Sequence, residues 1–226
     1  MQLQSDDALE NSPVVANCRM NRERNLHGPN GYDRDLRFDP LAFLKDAANR
    51  NGEANWLDLC CGTAKALAEA AEVIDAEGLP IQITGVDLAG LFVASDSASL
   101  TLHQAALSTW QPDCQFDLIT CVHGLHYLGD KLGLIVHAAG WLKDAGHFVA
   151  NLDMANIRLS NGQSSSRVVV SELRRAGFDY SSRHKLIKCD GMRECELPFR
   201  YLGADDEAGP NYTGQPAVNS HYERLM

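Results

Sequence analysis

The sequence predicts an α/β fold: a three-layer sandwich in which a mostly parallel sheet with a C-terminal antiparallel hairpin carries helices on both faces. Three observations lead there. Between residues 40 and 153, β-leaning and helical segments alternate at the spacing of strand–helix units, which calls for a parallel sheet covered on both sides. The segment FDLITCV is a near-continuous apolar run, as expected of a strand buried on both faces. Late in the chain, RHKLIKC and RECELPFRYLG are joined only by DGM, too short a link for anything but an antiparallel hairpin.

Each element has a local reason. Asp39 before Pro40 is an N-cap and first-turn pair for a helix over PLAFLKDAANR. NWLDL follows as a strand, then a helix over 63–76 that ends before Gly78 and Pro80. QITGVD (82–87) predicts a strand and LAGLFVASD a short helix or turn. LTLHQA and FDLITCV supply two more strands, GDKLGLIVHAAGWLKDAG a helix stopping at Gly146, and HFVANLD another strand. SSRVVVSELRRAG is helical, with Gly177 as its stop. Residues 1–38 form an N-terminal arm or lid, 39–202 the main domain, and 203–226, rich in turn formers and acids, a C-terminal tail.

Composition narrows the function. The 226 residues carry 45% hydrophobic and 22% charged side chains, ordinary for a globular chain. A formal net charge of −10 weakens long-range attraction to a phosphate backbone, so nucleic acid is not expected as a partner. Seven cysteines with no CxxC pair fit neither a disulfide framework nor a common zinc pattern, and reduced thiols in a cytoplasmic protein are the simplest account. No apolar run has the length of a signal-peptide core or a membrane span, so no membrane partner is expected. Arg19, Arg22 and Arg24 form a basic cluster, either a solvated helix face or a docking patch for an acidic substrate. The sequon Asn211-Tyr212-Thr213 carries little meaning without export. Nothing in the composition fixes an oligomeric state.

The turn WLDLCCGTAKAL joins a strand to a helix through small residues, so a ligand can approach its backbone amides closely. In open parallel sheets ligands bind at such strand ends. Asp87 closes the next strand, where a carboxylate can accept both hydroxyls of a ribose while capping the following turn. A dinucleotide turn needs glycine at its third position for close helix–strand packing, and Lys65 stands there. A cationic, phosphate-free nucleoside suits the turn better, with Asp58 before it for an amino group.

In these residues the chain resembles class I S-adenosylmethionine-dependent methyltransferases. Asp58-Leu59-Cys60-Cys61-Gly62-Thr63-Ala64 is similar to the family's D/E-x-G-x-G-x-G turn, with Cys60 and Ala64 in place of two glycines. The resemblance implies S-adenosylmethionine as cofactor and a sheet of seven strands whose last is antiparallel. It places Asp58, Cys60 and Gly62 at the methionine moiety, Asp87 on the ribose and Leu88 over the adenine. Ala106 falls where many members have an adenine-binding Asp, leaving backbone groups of Ala106 and Leu107, or another residue, to read the base. Tyr32, in HGPNGYDRD, is a candidate lid residue, because N-terminal segments of the family often fold over the cofactor and offer an aromatic hydroxyl to its carboxylate; an ordinary turn tyrosine is the alternative.

CVHGLHYLGD resembles the segment beside the methyl group, so His123 is a candidate for both cofactor contact and catalysis, with His126 and Tyr127 as further catalytic candidates. For the last two, packing at the start of a helix is the competing role. The i, i+3 pair His123 and His126 has no further ligands around it, and no metal site is expected. A sulfonium is already a strong methyl donor, so such an enzyme mainly aligns a nucleophile and excludes water. The absence of an N/D-P-P-Y/F segment and the acidic balance favour methyl transfer to oxygen or nitrogen of a small-molecule metabolite. The alternatives are a non-catalytic S-adenosylmethionine-binding scaffold and, against Lys65, a nicotinamide-dependent reductase.

Overall fold

The computed structural model describes residues 3–16, 23–160 and 165–225. Strands β1 (Ala54–Leu59), β2 (Ile81–Asp87), β3 (Leu100–Gln104), β4 (Phe116–Cys121), β5 (Leu142–Asn151), β7 (Asp179–Ser181) and β8 (Leu186–Asp190) form a seven-stranded sheet in the order β3-β2-β1-β4-β5-β8-β7. The first five run parallel, while β8 pairs antiparallel with both β5 and β7. The order reverses at β1, so β1 and β4 open the crevice in which such sheets bind ligands.

Helices cover both faces. Successive strand residues point to opposite sides, so Trp56 and Leu118 join one core while Leu57 and Ile119 join the other. Helices α3 (Tyr32–Leu36), α4 (Pro40–Asn51) and α5 (Lys65–Glu77) cover the first core, with Leu36, Leu44 and Leu67 fully buried. Helices α6 (Lys131–Gly140) and α7 (Ser165–Arg175) cover the second through Ile135, Ala138, Val169 and Leu173. Asp39 caps α4 as its sequence indicates, its side chain accepting from the amides of Leu41 and Ala42. Two short helices, α1 (Asp6–Glu10) and α2 (Pro13–Ala16), precede these.

Three sequence expectations need correction. The antiparallel hairpin is there, but its arms are β7 and β8; the segment after DGM instead gives β9 (Phe199–Asp205), in a separate sheet of order β6-β10-β9 with β6 (Ile157–Leu159) and β10 (Asn219–Arg224). The helix expected to stop at Gly146 ends at Gly140, because Trp141 closes it and β5 begins at Leu142 to pair with Phe116. Gly146 is therefore a strand residue, at a shift of register where a Cβ would meet the Phe116 carbonyl oxygen at 2.7 Å. Of the two options for LAGLFVASD the turn holds: Asp87 caps a bend at Ala89, and Gly90, at φ 61°, turns the chain away. Helix α5 begins at Lys65 and not at Thr63, since Ala64 takes a left-handed conformation (φ 58°).

Candidate active site

Strand β1 ends in a turn whose alternate residues are left-handed: Cys60 at φ 57°, Gly62 at 63° and Ala64 at 58°. For a residue with a Cβ that conformation costs about 1–2 kcal/mol, so this backbone path is imposed by its surroundings. The amide of Cys61 donates to the Val86 carbonyl at 3.1 Å and that of Gly62 to Asp87 Oδ2 at 3.0 Å, which ties the turn to the end of β2. Asp87 Oδ1 also accepts from Ala89 N at 2.9 Å, and the Asp87 carbonyl accepts from Ala105 N at 3.1 Å. The three strand ends are thereby locked in one arrangement.

Beside the turn lies a cleft of about 1130 Å³, open solvent at its mouth included. Cys60, Gly62, Asp87, Leu88, Ala106, Leu107, His123 and Tyr127, all singled out by sequence, line it. Leu9 and Val15 of the N-terminal arm close another side, with Asp6, Glu10 and Asp130 adding acids to the wall. Among the described residues no lysine or arginine lines the cleft.

Tyr32, Asp58 and His126 stand behind this wall. Asp58 is fully buried and accepts from the Tyr32 hydroxyl at 2.7 Å and from Thr120 Oγ1, which in turn accepts from Trp56 Nε1 at 2.8 Å. Burial pushes the Asp58 carboxyl up to about 7, against the pull of its two hydroxyl donors. Burial, then Asp58, pushes the Tyr32 phenol well above its ordinary value. The two groups that sequence assigned to opposite ends of an amino-acid moiety are therefore bonded to each other.

His123 follows β4 in a left-handed conformation (φ 58°), held by its amide donating to Asn151 Oδ1 at 3.1 Å. Its Nε2 lies 3.2 Å from Asp35 Oδ2 and its Nδ1 3.3 Å from the Tyr212 hydroxyl. His126 stacks on it with ring centroids 5.7 Å apart. Both ring nitrogens of His126 are buried without a hydrogen-bond partner among the described residues, and burial, then the charges of His123 and Lys131, pushes the imidazole well below its ordinary value. A neutral packing ring fits that setting. Gly124 is required next: a Cβ there would sit 2.3 Å from that of Cys60.

Among the described residues no group of three or more His, Cys, Asp or Glu side chains could hold a metal. Cys60 and Cys61 are protonated packing groups, since a hydrogen bond with Cys121 and burial raise the first thiol and burial raises the second. Arg24 donates to Asn30 Oδ1 at 2.6 Å and Asp35 Oδ2 at 2.9 Å, while Arg19 and Arg22 of the same sequence cluster lie outside the described residues. Sequence reasoning missed Asp35, Asn151 and Tyr212. Asp35 lies one helical turn past Tyr32 and was within reach of the lid argument; Tyr212 carried no signal beyond its sequon.

A family model described as "Methyltransferase domain" matches residues 32–183. No curated protein matches the chain. Among solved structures, the chain is similar to the plantazolicin methyltransferase BpumL in complex with a monoazolic desmethylPZN analog and SAH, at 11% identity over 64% of this chain and 51% of that one, with a TM-score of 0.40. It is also similar to a sugar N-methyltransferase from Streptoalloteichus sp., at 23% identity over 49% and 46%, TM-score 0.36. The DhpI–SAH complex gives 18% identity over 71% and 88%, TM-score 0.44. The chain thus spans about half the length of the first two.

Proposed function

The chain belongs to the methyltransferase-domain family, and from that premise we propose that it is a class I S-adenosylmethionine-dependent enzyme that transfers a methyl group to an oxygen or nitrogen of a small-molecule metabolite. The observation that carries this reading is the junction of Gly62 and Asp87 at an acid-lined, largely apolar cleft. When bound, S-adenosylmethionine supplies an activated methyl on a cationic sulfur.

The residues present fit that group. Carboxylates of Asp6, Glu10, Asp87 and Asp130 favour a cation over a phosphate ester. Asp87 accepts hydroxyls with the same carboxylate that takes the Gly62 amide, and Leu88 and Leu107 offer apolar cover for a base. The Ala106 carbonyl already accepts from the amides of Thr109 and Trp110, so base reading here falls to the other backbone groups of Ala106 and Leu107. Cys60 shapes the turn sterically. Asp58 and Tyr32 act from behind it, one holding the other at the foot of the methionine pocket. His123, in the wall, is the group placed to hold or take a proton; Tyr127 shapes that wall, and His126 backs the His123 ring. The enclosed, acid-lined cleft supports a small molecule over a nucleic acid as acceptor, and no described helix is long and apolar enough to cross a membrane.

Calorimetry with S-adenosylmethionine and S-adenosylhomocysteine tests the reading. Both should bind, and Asp87→Ala should weaken them more than about tenfold, or about 1.4 kcal/mol. Binding of neither by the parent protein overturns the function; unchanged affinity in the variant overturns the ribose assignment.

A further inference from the structure

Three distant segments meet at His123, and their chemistry fixes where its proton sits. Asp35 comes from α3, His123 from the end of β4, and Tyr212 from the segment before β10. Burial acts to raise the Asp35 carboxyl, but the hydrogen bond from His123 and the charges of Arg24 and Arg34 hold it below its usual value. An ionised carboxylate only accepts hydrogen bonds, so His123 Nε2 carries the proton that faces it. In the neutral ring Nδ1 then presents a lone pair. The Tyr212 phenol, which burial and then Asp35 push up, keeps its proton and donates to that lone pair at 3.3 Å. The remaining groups around the ring are the neutral His126 and, beyond Tyr212, Asp153 and Tyr180. His123 also lines the cleft.

We propose that Asp35 and His123 form a carboxylate–imidazole pair that takes a proton from the acceptor, that the acceptor is therefore an alcohol or phenol methylated on oxygen, and that the Tyr212 hydroxyl holds the seat which the acceptor hydroxyl takes. The proposal rests on the methyltransferase reading. An amine that arrives neutral attacks without a base, whereas a hydroxyl gains from losing its proton as the new bond forms. A base whose second nitrogen is fixed by a half-buried carboxylate suits the latter. In the step, the acceptor O–H bond breaks and its proton passes to Nδ1. The oxygen electron pair forms the new O–CH3 bond as the S–CH3 bond breaks, and that bond's pair stays on sulfur in the departing thioether. The imidazolium, its charge balanced by Asp35, returns the proton to solvent. His123 is the catalytic residue, and Asp35 and Tyr212 are positioning residues.

Two measurements on the full chain test this separately from cofactor binding. The first is the imidazole spectrum of protein carrying 15N-histidine, with His123 assigned through His123→Asn. The parent should show the Nε2–H form, Asp35→Asn should lose it, and Asp35→Glu should recover it; an Nδ1–H form in the parent, or one unmoved by Asp35→Asn, overturns the pair. The second is incubation with methyl-13C S-adenosylmethionine and a metabolite extract, reading the carbon shift of the labelled product. An O–CH3 product is expected, with Asp35→Asn slowing its formation about a hundredfold, displacing the pH profile and leaving S-adenosylmethionine affinity unchanged. An N–CH3 product, or a pH profile identical in Asp35→Asn, overturns the proposal while the methyltransferase reading stands. Failure of the parent protein to bind S-adenosylmethionine overturns that reading first.

Discussion

Cys60 shows how a family turn survives the loss of its glycines. Its φ of 57° carries the strain of a left-handed Cβ residue, and its side chain packs within reach of Gly124 and Cys121. The turn holds because its amides are spent on Val86 and Asp87, bonds that outweigh about 1–2 kcal/mol of strain. If Cys60 is there only to fill space, Cys60→Gly should bind S-adenosylmethionine within about twofold of the parent. Gly124→Ala is the opposite case. Its new methyl would overlap the Cys60 Cβ at 2.3 Å, and the two nearest of its three clashes are with Cys60 atoms. Gly124→Ala alone should lower both melting temperature and cofactor affinity, and the double variant Cys60→Gly/Gly124→Ala should recover most of each. A double variant no better than Gly124→Ala alone would show that the crowding lies elsewhere.

At the level of elements, the bond from Tyr32 to Asp58 fastens α3 across the front of β1. Its strength depends on pH. Asp58 has its folded value raised from 3.8 to about 7, so its contribution to stability is full below the unfolded value and is lost as pH rises through about 7. Tyr32 favours the ionised form by donating to it. Tyr32→Phe should therefore cost more at about pH 8.5 than at about pH 6, by up to about 1.5–3 kcal/mol for a bond to a charged group. Thermal melts at the two pH values check this, and equal losses would refute it. Elements with local signals were legible in the sequence: Asp39 announced α4, Gly177 ended α7, and the apolar run of β4 placed it between neighbours. The small-residue turn after β1 and the acid closing β2 were legible as the strand ends beside which the cleft lies. Elements decided by distant pairing were not legible. β6 and β7 have three residues each, β10 contains SHYER with no apolar alternation, and only pairing with β9 and β6 makes it a strand. Tyr212 was invisible for the same reason, since 177 residues separate it from Asp35 and only the fold joins the two through His123.

The whole molecule is closed by one buried cation. Lys131, 1% exposed, donates to the carbonyls of Leu128 and Val218 and to Ser220 Oγ, each at 2.8 Å, and so fastens the start of β10 to the cleft wall after β4. Three acceptors match the three donors of an ammonium, yet burial pushes the group down from 10.5 to about 7. Between those values the unfolded chain binds the proton and the folded one does not, so this group's contribution is present above the unfolded value and lost as pH falls through about 7. Lys131→Met ends that titration and leaves three acceptors unpaired, at a cost of about 1–3 kcal/mol for each that stays dry. The variant should melt below the parent at about pH 9, and the gap should narrow as pH falls towards about 6, because only the parent is losing stability from this site. Taking the difference between the two melting curves removes Asp58, whose window lies lower and is common to both. A gap that stays constant, or widens towards acid, would mean that Lys131 keeps its charge in the folded protein throughout, and that the three acceptors outweigh its burial.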